Sequence, residues 1–172
     1  MKIAILSDSH DHAANIELAM DQIQKSGSEI LLYCGDFCSP FSAKMIAGFS
    51  GAIYVVFGNN DGDRVNIVKR MQEVNQQVIF FSEAEAVLEL GGRKIAMTHY
   101  PRYADALART GDYDLVCFGH DHKARIEMHG KCIAVNPGCL TDRRSTDVVA
   151  FALYDTLNHQ VSLHNLEGGF LE

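Results

Sequence analysis

The sequence predicts an α/β protein with a four-layer α-β-β-α sandwich, in which two mixed β-sheets are flanked by helices. Two observations predict this fold class. In the first half of the chain, short apolar runs alternate with segments of helical periodicity, which favours parallel strands covered by helices. In the second half, short β-forming runs follow one another with turn residues between them, which favours a second sheet.

Three strands and three helices are expected in the first half. The strands correspond to short apolar runs at residues 2–7, 30–34 and 52–57. The first helix is expected over residues 12–26, where apolar side chains recur on one face and Gly27 provides a stop. Pro40 can open the second helix, because its missing N–H would have no helical partner there. Asp63 is the expected N-cap of the third helix, whose inward face should carry Val65, Val68 and Met71.

Eight further strands and one short helix are expected in the second half. The strands are predicted at residues 78–81, 86–90, 94–98, 115–118, 124–128, 132–135, 147–154 and 160–166. The Gly91-Gly92 pair indicates a hairpin turn, and the helix is predicted over residues 103–109. Because the 172 residues contain no repeat and no linker, they are expected to form a single domain over residues 1–172.

The composition restricts the classes of partner. The formal net charge is -7 and no long basic run is present, which argues against an extended nucleic acid or an anionic membrane as a partner. A small anionic substrate is compatible with the negative net charge of the protein, because bound metal ions would make the local charge of the site positive. The five cysteines are odd in number and three lie in apolar runs, which is typical of free thiols in a reducing compartment. No apolar stretch approaches the ~18 residues of a membrane span, and cytoplasmic localisation is expected.

Five of the predicted strands lead directly into residues that can bind a metal. These segments are Asp8-Ser9-His10, Gly35-Asp36, Gly58-Asn59-Asn60-Asp61, His99 and Gly119-His120-Asp121-His122. If the five strands belong to one sheet, their carboxyl ends converge on one rim and bring these side chains together. Carboxylate, amide and imidazole donors suit one or two divalent ions, and the imidazoles favour transition metals over magnesium or calcium.

In order and composition, these segments resemble the five motif blocks of the calcineurin-like metallophosphoesterases. The matching blocks are Asp8-x-His10, Gly35-Asp36, Gly58-Asn59, His99 and Gly119-His120-x-His122. They follow the order of the family, and Asn136-Pro137-Gly138 resembles a further element that often follows them. The short chain and the closing hairpin are most similar to the compact, cap-less bacterial and archaeal phosphodiesterase branch. Five blocks in order, each after a strand, carry far more weight than one short motif.

The resemblance implies a dinuclear metal centre. It assigns one metal to Asp8, His10 and His122, the other to Asn59, His99 and His120, and a bridging role to Asp36. Two divalent transition-metal ions are expected, with Mn2+ first and Ni2+, Fe2+, Co2+ or Zn2+ as alternatives. The implied reaction is hydrolysis of a small phosphoester, in the first place a phosphodiester. A hydroxide that bridges the metals would attack phosphorus in line with the leaving group.

The catalytic group expected from the same motifs comprises Asp36, Asn59, Asn60 and Asp61. Asn60 departs from the family pattern, because many members have a histidine there that helps to protonate or stabilise the leaving oxygen. A missing general acid can cost ~10²–10⁴-fold, so we expect a preference for acidic leaving groups, such as those of aryl phosphodiesters. Asp61 has two interpretations, since it can support a metal ligand or start the third helix.

Two arginines are candidate substrate-binding residues. Arg143 follows the Asn136-Pro137-Gly138 loop and Arg102 follows His99, so either could bind a phosphate at the rim. Surface solvation is the alternative for both of them. Asp121, between two histidines, is expected to point to solvent.

Two other functions remain open at this stage. The metal ligands are equally compatible with a phosphomonoesterase or nucleotidase, which would differ from a phosphodiesterase in its substrate preference. A non-catalytic protein-binding scaffold is the third interpretation, because the retromer subunit resembles the family in fold. All seven ligand positions are filled here, which favours an enzyme. A chain of this length leaves little room for a cap domain, so an open site is expected, and self-association is possible.

Overall fold

The computed structural model describes residues 1–141 and 148–171 of the chain. The elements in chain order are β1 (Lys2–Leu6), α1 (Ala13–Lys25), β2 (Ile30–Tyr33), α2 (Pro40–Ile46), β3 (Ala52–Val56), α3 (Arg64–Val74), β4 (Val78–Phe81), β5 (Glu85–Leu90), β6 (Arg93–Thr98), α4 (Pro101–Arg109), β7 (Leu115–Cys117), β8 (Arg125–His129), β9 (Cys132–Asn136), β10 (Ala150–Asp155), β11 (Gln160–Asn165) and β12 (Phe170–Leu171). The predicted strands and helices are confirmed within a few residues at their ends, and β12 is the element that the sequence did not predict.

The strands form two mixed sheets. The first has the order β12-β11-β10-β1-β2-β3-β4, and the second has the order β5-β6-β7-β9-β8. β1 to β4 run parallel to one another, as do β6, β7 and β9. The remaining neighbours are antiparallel, including the β5–β6 hairpin. Gly91 and Gly92 both have positive φ at the turn of that hairpin, which confirms the predicted turn.

Three apolar layers hold the sandwich together. Side chains from both sheets meet between them, including Ile3, Ile5, Leu32, Met97 and Val135. The first three helices cover the outer face of the larger sheet through Ile16, Ile23, Ile46, Ile67 and Met71. Helix α4 covers the smaller sheet through Ala104 and Ala108. The predicted α-β-β-α sandwich is therefore confirmed. Since β1 is covered on both faces after the exposed Lys2, its sequence is apolar from Ile3 to Leu6 rather than alternating.

The inward face of α3 differs in part from the prediction, because Met71 is buried as expected, whereas Val68 is half-buried and Val65 is exposed. Val65 is 80% exposed, whereas Ile67 and Met71 are fully buried against the larger sheet. These two residues are four positions apart and therefore lie on the same face of the helix, which leaves Val65 on the solvent side. The predicted N-cap is confirmed, because Asp63 Oδ1 accepts the Asn66 N–H at 3.2 Å.

The five predicted ligand segments follow strands of both sheets, so the condition that the five strands share one sheet is not met. β1, β2 and β3 belong to the larger sheet, and β6 and β7 belong to the smaller one. Hydrogen bonds nevertheless join the two sets of loops at one rim. His99 Nδ1 lies 2.7 Å from the Cys34 carbonyl oxygen, and the His120 N–H donates to Asp8 Oδ2 at 2.9 Å. In the described part of the chain, no helix is both long and apolar enough to cross a membrane.

Candidate metal centre

Five of the seven predicted ligands have a left-handed backbone. The residues with positive φ are Asp8 (55°), His10 (41°), Asp36 (64°), His120 (77°) and His122 (60°). A residue other than glycine that adopts this backbone conformation is destabilised by on the order of 1–3 kcal/mol. Asp, Asn and His tolerate the conformation better than most residues. The chain leaves each strand and turns at once, so these side chains point into the rim instead of continuing along the sheet. The strain is concentrated where the donor atoms meet.

Asp8, His10 and His122 form the first group of donors. The two imidazole Nε2 atoms lie 3.0 Å apart, and Asp8 Oδ1 lies 3.3 Å from His122 Nε2 and 3.6 Å from His10 Nε2. Asp8 is fully buried, and its Oδ1 has no hydrogen-bond partner among the described residues. A buried carboxylate oxygen without a donor, facing two imidazole nitrogens, fits a bound cation.

Asn59, His99 and His120 form the second group. Asn59 Oδ1 lies 3.1 Å from His99 Nε2 and 2.9 Å from His120 Nδ1, and these two nitrogens are 3.3 Å apart. His99 is fully buried, whereas Asn59 and His120 are exposed. The centre is therefore open to solvent on this side within the described residues, in agreement with the expected open site.

Asp36 lies between the two groups. Its Oδ2 is 3.7 Å from His10 Nε2 and 3.4 Å from His99 Nε2, so one carboxylate faces donors of both groups. Asn60 fixes the orientation of this carboxylate, because its backbone N–H donates to Oδ1 and its Nδ2 donates to Oδ2, both at 2.8 Å. The side chain of Asn60 is therefore directed at Asp36.

Hydrogen bonds outside the donor groups orient the donors. His99 Nδ1 donates to the Cys34 carbonyl, which leaves the Nε2 lone pair facing the centre. Ser7 Oγ donates to Asp8 Oδ2 at 2.5 Å, so the other oxygen of Asp8 remains directed inward. Cys38 Sγ lies 3.3 Å from His10 Nδ1. Sequence reasoning missed Ser7 and the Cys34 carbonyl. The only available signal for Ser7 was its position directly before Asp8, and a backbone carbonyl has none.

Asp61 connects two of the loops that carry donors. Its Oδ2 accepts the N–H groups of Asp36 at 2.9 Å and Gly58 at 2.7 Å, and its Oδ1 accepts the Cys38 N–H at 3.1 Å. The side chain is buried, and Asp63 is the residue that caps α3. Of the two interpretations of Asp61, the structure favours support of a predicted ligand.

Close backbone approach explains two glycines of the motifs. A Cβ on Gly58 would overlap Asp36 Oδ1, and a Cβ on Gly119 would overlap Ser7 Oγ and Asp8 Oδ2. Any larger residue at either position would displace a predicted ligand.

Asp121 does not simply point to solvent, and that expectation is wrong. Its Oδ1 accepts from Arg125 Nη1 at 2.9 Å and from Asn136 Nδ2 at 2.8 Å. Asn136 also donates to the Gly119 carbonyl at 3.1 Å. The Asn136-Pro137-Gly138 element thus fixes the loop that presents two of the histidines, since a short histidine loop needs lateral support to hold its geometry.

The charged donors shift one another's pKa values. Burial opposes ionisation of Asp8, but the facing imidazoles of His10 and His122 outweigh burial and lower its pKa. Burial likewise opposes ionisation of Asp36, and His99 reverses this effect, so its pKa is also lowered. The nearby Asp8 carboxylate raises the pKa of His10. Burial favours neutral His99, but Asp36 outweighs it and raises the pKa of that imidazole. The carboxylates are therefore ready to bind cations, and protons compete for the imidazoles.

The two candidate substrate-binding arginines have different outcomes. Arg102 is exposed at the start of α4, beside a cleft that His120 also lines. Arg143 lies outside the described residues. The structure thus brings all seven predicted ligands together, and Asn60, Asp61 and Arg102 lie around them.

An α/β sandwich with carboxylate, imidazole and amide donors on one rim is typical of metal-dependent hydrolases. Residues 1–159 match the sequence model of the calcineurin-like phosphoesterase superfamily domain. The chain belongs to this superfamily, so the predicted family and the predicted class of enzyme, a phosphoric ester hydrolase, are both confirmed.

Individual relatives agree with this placement. Phosphodiesterase MJ0936 of Methanocaldococcus jannaschii is 31% identical over 140 residues, which cover 80% of this chain and 83% of that protein. A solved structure described as a novel archaeal phosphodiesterase is 28% identical, with a TM-score of 0.87 over 99% of this chain and 100% of that one. The phosphoesterase Yfce from E. coli has a TM-score of 0.77 over 100% of this chain and 97% of its own. At 18% identity, it shows a shared fold.

Proposed function

We propose that the chain is a phosphodiesterase that depends on two metal ions and hydrolyses a small phosphoester. The observation that carries the proposal is the Asp36 carboxylate, which faces donors of both groups at 3.4 and 3.7 Å. Ions held in such a pair lie roughly 3.5–4 Å apart, a span that one carboxylate can bridge. The archaeal relatives described as phosphodiesterases support a diester as the substrate. We further propose that residues 1–172 act as one domain in the cytoplasm.

The two donor groups support a proposed set of ligands for each ion. One ion would be held by Asp8, His10 and His122 and the other by Asn59, His99 and His120, with Asp36 shared. The buried, unpartnered Asp8 Oδ1 fits this arrangement. Four imidazoles favour Mn2+, Fe2+, Co2+, Ni2+ or Zn2+, and Mn2+ is our first choice.

When bound, the two ions would supply hydroxide near neutral pH and neutralise the negative charge of the phosphate. The protein residues fix the geometry of this site. Asn60 holds both oxygens of Asp36, and Asp61 ties the Asp36 loop to the Gly58 loop. The Asn60 amide carries no titratable proton, so no acid at this position protonates the leaving oxygen. We therefore propose that leaving groups of low pKa react fastest.

The first test is hydrolysis of bis(p-nitrophenyl) phosphate beside p-nitrophenyl phosphate by protein stripped with chelator. Reconstitution with Mn2+, Ni2+, Zn2+ or Mg2+ should restore turnover, with the diester preferred and Mg2+ least effective. Diesters with less acidic phenols should react progressively more slowly. A preference for the monoester would favour the phosphomonoesterase or nucleotidase interpretation. The absence of turnover of both substrates with every metal would favour the interpretation as a protein-binding scaffold.

Metal affinity should fall as the pH is lowered, and the fall should begin above the ordinary imidazole pKa of 6.5. The pKa values of His10 and His99 are raised, so protons occupy these nitrogens at a higher pH than in a free imidazole. Calorimetric titration of the stripped protein with Mn2+ from roughly pH 6 to pH 8 would measure this. Two buffers with different ionisation enthalpies would reveal the protons released on binding. An affinity that stays constant over this range would contradict the predicted imidazole ligands.

A further inference from the structure

A cleft next to the metal centre is lined largely by aromatic and apolar side chains. Its volume is about 700 Å³, and it is lined by Ala84, Tyr100, Pro101, Arg102, Tyr103 and His120. Four of these residues come from the end of the β6–α4 connection and the first turn of α4. Tyr103 is 54% exposed, so its side chain is accessible to a ligand in the cleft.

The cleft is continuous with the predicted metal ligands. Tyr100 packs edge-on against His99 with ring centroids 5.1 Å apart, and against His120 with centroids 5.4 Å apart. On its other side, Tyr100 packs edge-on against Tyr103 at 5.9 Å. His120 itself lines the cleft while its Nδ1 lies 2.9 Å from Asn59 Oδ1. A row of rings therefore leads from the donor atoms to the surface.

We propose that this cleft is a specificity subsite that binds a planar aromatic substituent on the phosphoester. The inference rests on the proposed function, because the metal centre must hold the phosphate from which the substituent projects. A ring bonded directly to an ester oxygen would lie against Tyr100. A nucleoside base would lie farther out, against Tyr103, because the ribose separates it from the phosphate. Aromatic pairs prefer edge-on or offset arrangements to face-to-face stacking, and such pairs are favourable beyond the area that they bury.

Arg102 adds charge complementarity to the same cleft. It is exposed and forms no ion pair with any described residue, so its positive charge is available to an incoming phosphoanion. The nearby carboxylate of Asp105 is already paired with Arg109, at 2.8 Å. The cleft thus combines a ring-binding wall with a cation, which suits an anionic aromatic ester and disfavours a neutral one.

The test measures binding, not turnover. Calorimetry with the Mn2+-loaded protein would compare two pairs of phosphonates, which contain no hydrolysable P–O–C ester bond. The first pair is phenylphosphonate and methylphosphonate. The second is the 5′-phosphonate analogue of adenosine and the corresponding analogue of ribose. Within a pair, both members present the same phosphonate group to the metals, so the ratio of their Kd values measures the contribution of the ring to binding. We expect the aromatic member of at least one pair to bind about three- to tenfold more tightly.

Three variants locate the effect. Tyr100→Leu should abolish the preference for phenylphosphonate, and Tyr103→Ala should abolish the preference for the adenosine analogue, while Tyr103→Phe retains it. Leu157→Ala is the matched control, because Leu157 is 81% exposed in the β10–β11 turn and does not line the cleft. Loss of preference in the phenyl pair identifies an aryl ester as the ligand, and loss in the second pair identifies a nucleoside ester.

Equal or undetectable binding within both pairs overturns the aromatic subsite, as does a preference that persists unchanged in both Tyr100→Leu and Tyr103→Ala. Failure of the proposed function is a separate result. It would appear as the absence of metal-restored turnover of bis(p-nitrophenyl) phosphate by the wild-type protein, whereas failure of the subsite would leave that turnover intact.

Discussion

Asp36→Asn should lower the metal-restored rate by more than about 100-fold, the upper range for losing a residue that only supports a metal ligand. The reason is the position of Asp36, whose Oδ2 faces His10 and His99 at 3.7 and 3.4 Å. An amide of nearly the same shape keeps one oxygen but loses the negative charge, so it weakens both proposed metal sites and their spacing together. Activity on bis(p-nitrophenyl) phosphate and the number of bound metal ions per chain are the measurements.

The substitution has a matched control in the same chain. Asp112 is exposed in the loop after α4, and Asp112→Asn makes the same chemical change far from the donor groups. It should leave both rate and metal content unchanged. A near-normal rate for Asp36→Asn, with two ions still bound, would refute the bridging role. Retention of one ion with a low rate would agree with a carboxylate that serves both sites.

Asp61→Asn should lower the free energy of unfolding by about 2–4 kcal/mol, because hydrogen bonds to a buried charged group contribute about 1.5–3 kcal/mol each. Asp61 accepts three backbone N–H groups, from Asp36, Cys38 and Gly58. An asparagine must turn its NH₂ group towards at least one of these donors, which leaves a buried N–H unpaired. The loops that carry Asp36 and Asn59 would separate, so metal affinity should fall as well. Urea denaturation with and without Mn2+ measures both effects.

Asp63→Asn is the control for this change, two residues away. Asp63 is exposed and caps α3 by accepting the Asn66 N–H. Asparagine is an equally good N-cap, so this variant should keep nearly full stability and metal affinity. If the Asp61→Asn variant were as stable as the Asp63→Asn variant, the three hydrogen bonds that Asp61 accepts would not contribute to the free energy of unfolding. That result would contradict the predicted supporting role of Asp61.

Much of the fold was predictable because local rules dominate in this chain. Short apolar runs marked β1, β2 and β3, since strands covered on both faces need apolar side chains at every position. Glycine and proline marked the ends of helices and the β5–β6 turn. The phase of α3 was harder to predict, because Val65 and Ile67 are both apolar and only packing against the sheet decides which one is buried.

The candidate metal centre was predictable to a similar extent, for a different reason. Its donors are side chains of characteristic type that follow strands directly, and their order matches that of a family. Some of the residues that orient the donors carry no such signal. Asn136 belongs to a segment that resembles a family element, but Asp121, its partner in supporting the histidine loop, is an ordinary polar residue in the sequence, and the carbonyl of Cys34 could be that of any residue.

The sequence by itself determined the strand–helix alternation, the identity of the seven proposed ligands and the superfamily, because each is encoded by neighbouring residues and their spacing. Only the tertiary structure decided that the ligands come from two sheets, that Asp36 lies between the two donor groups, and that Tyr100 and Tyr103 extend the centre into an aromatic cleft. These features depend on how distant segments pack together, and the distance between two side chains far apart in the chain is fixed by packing, not by local propensity.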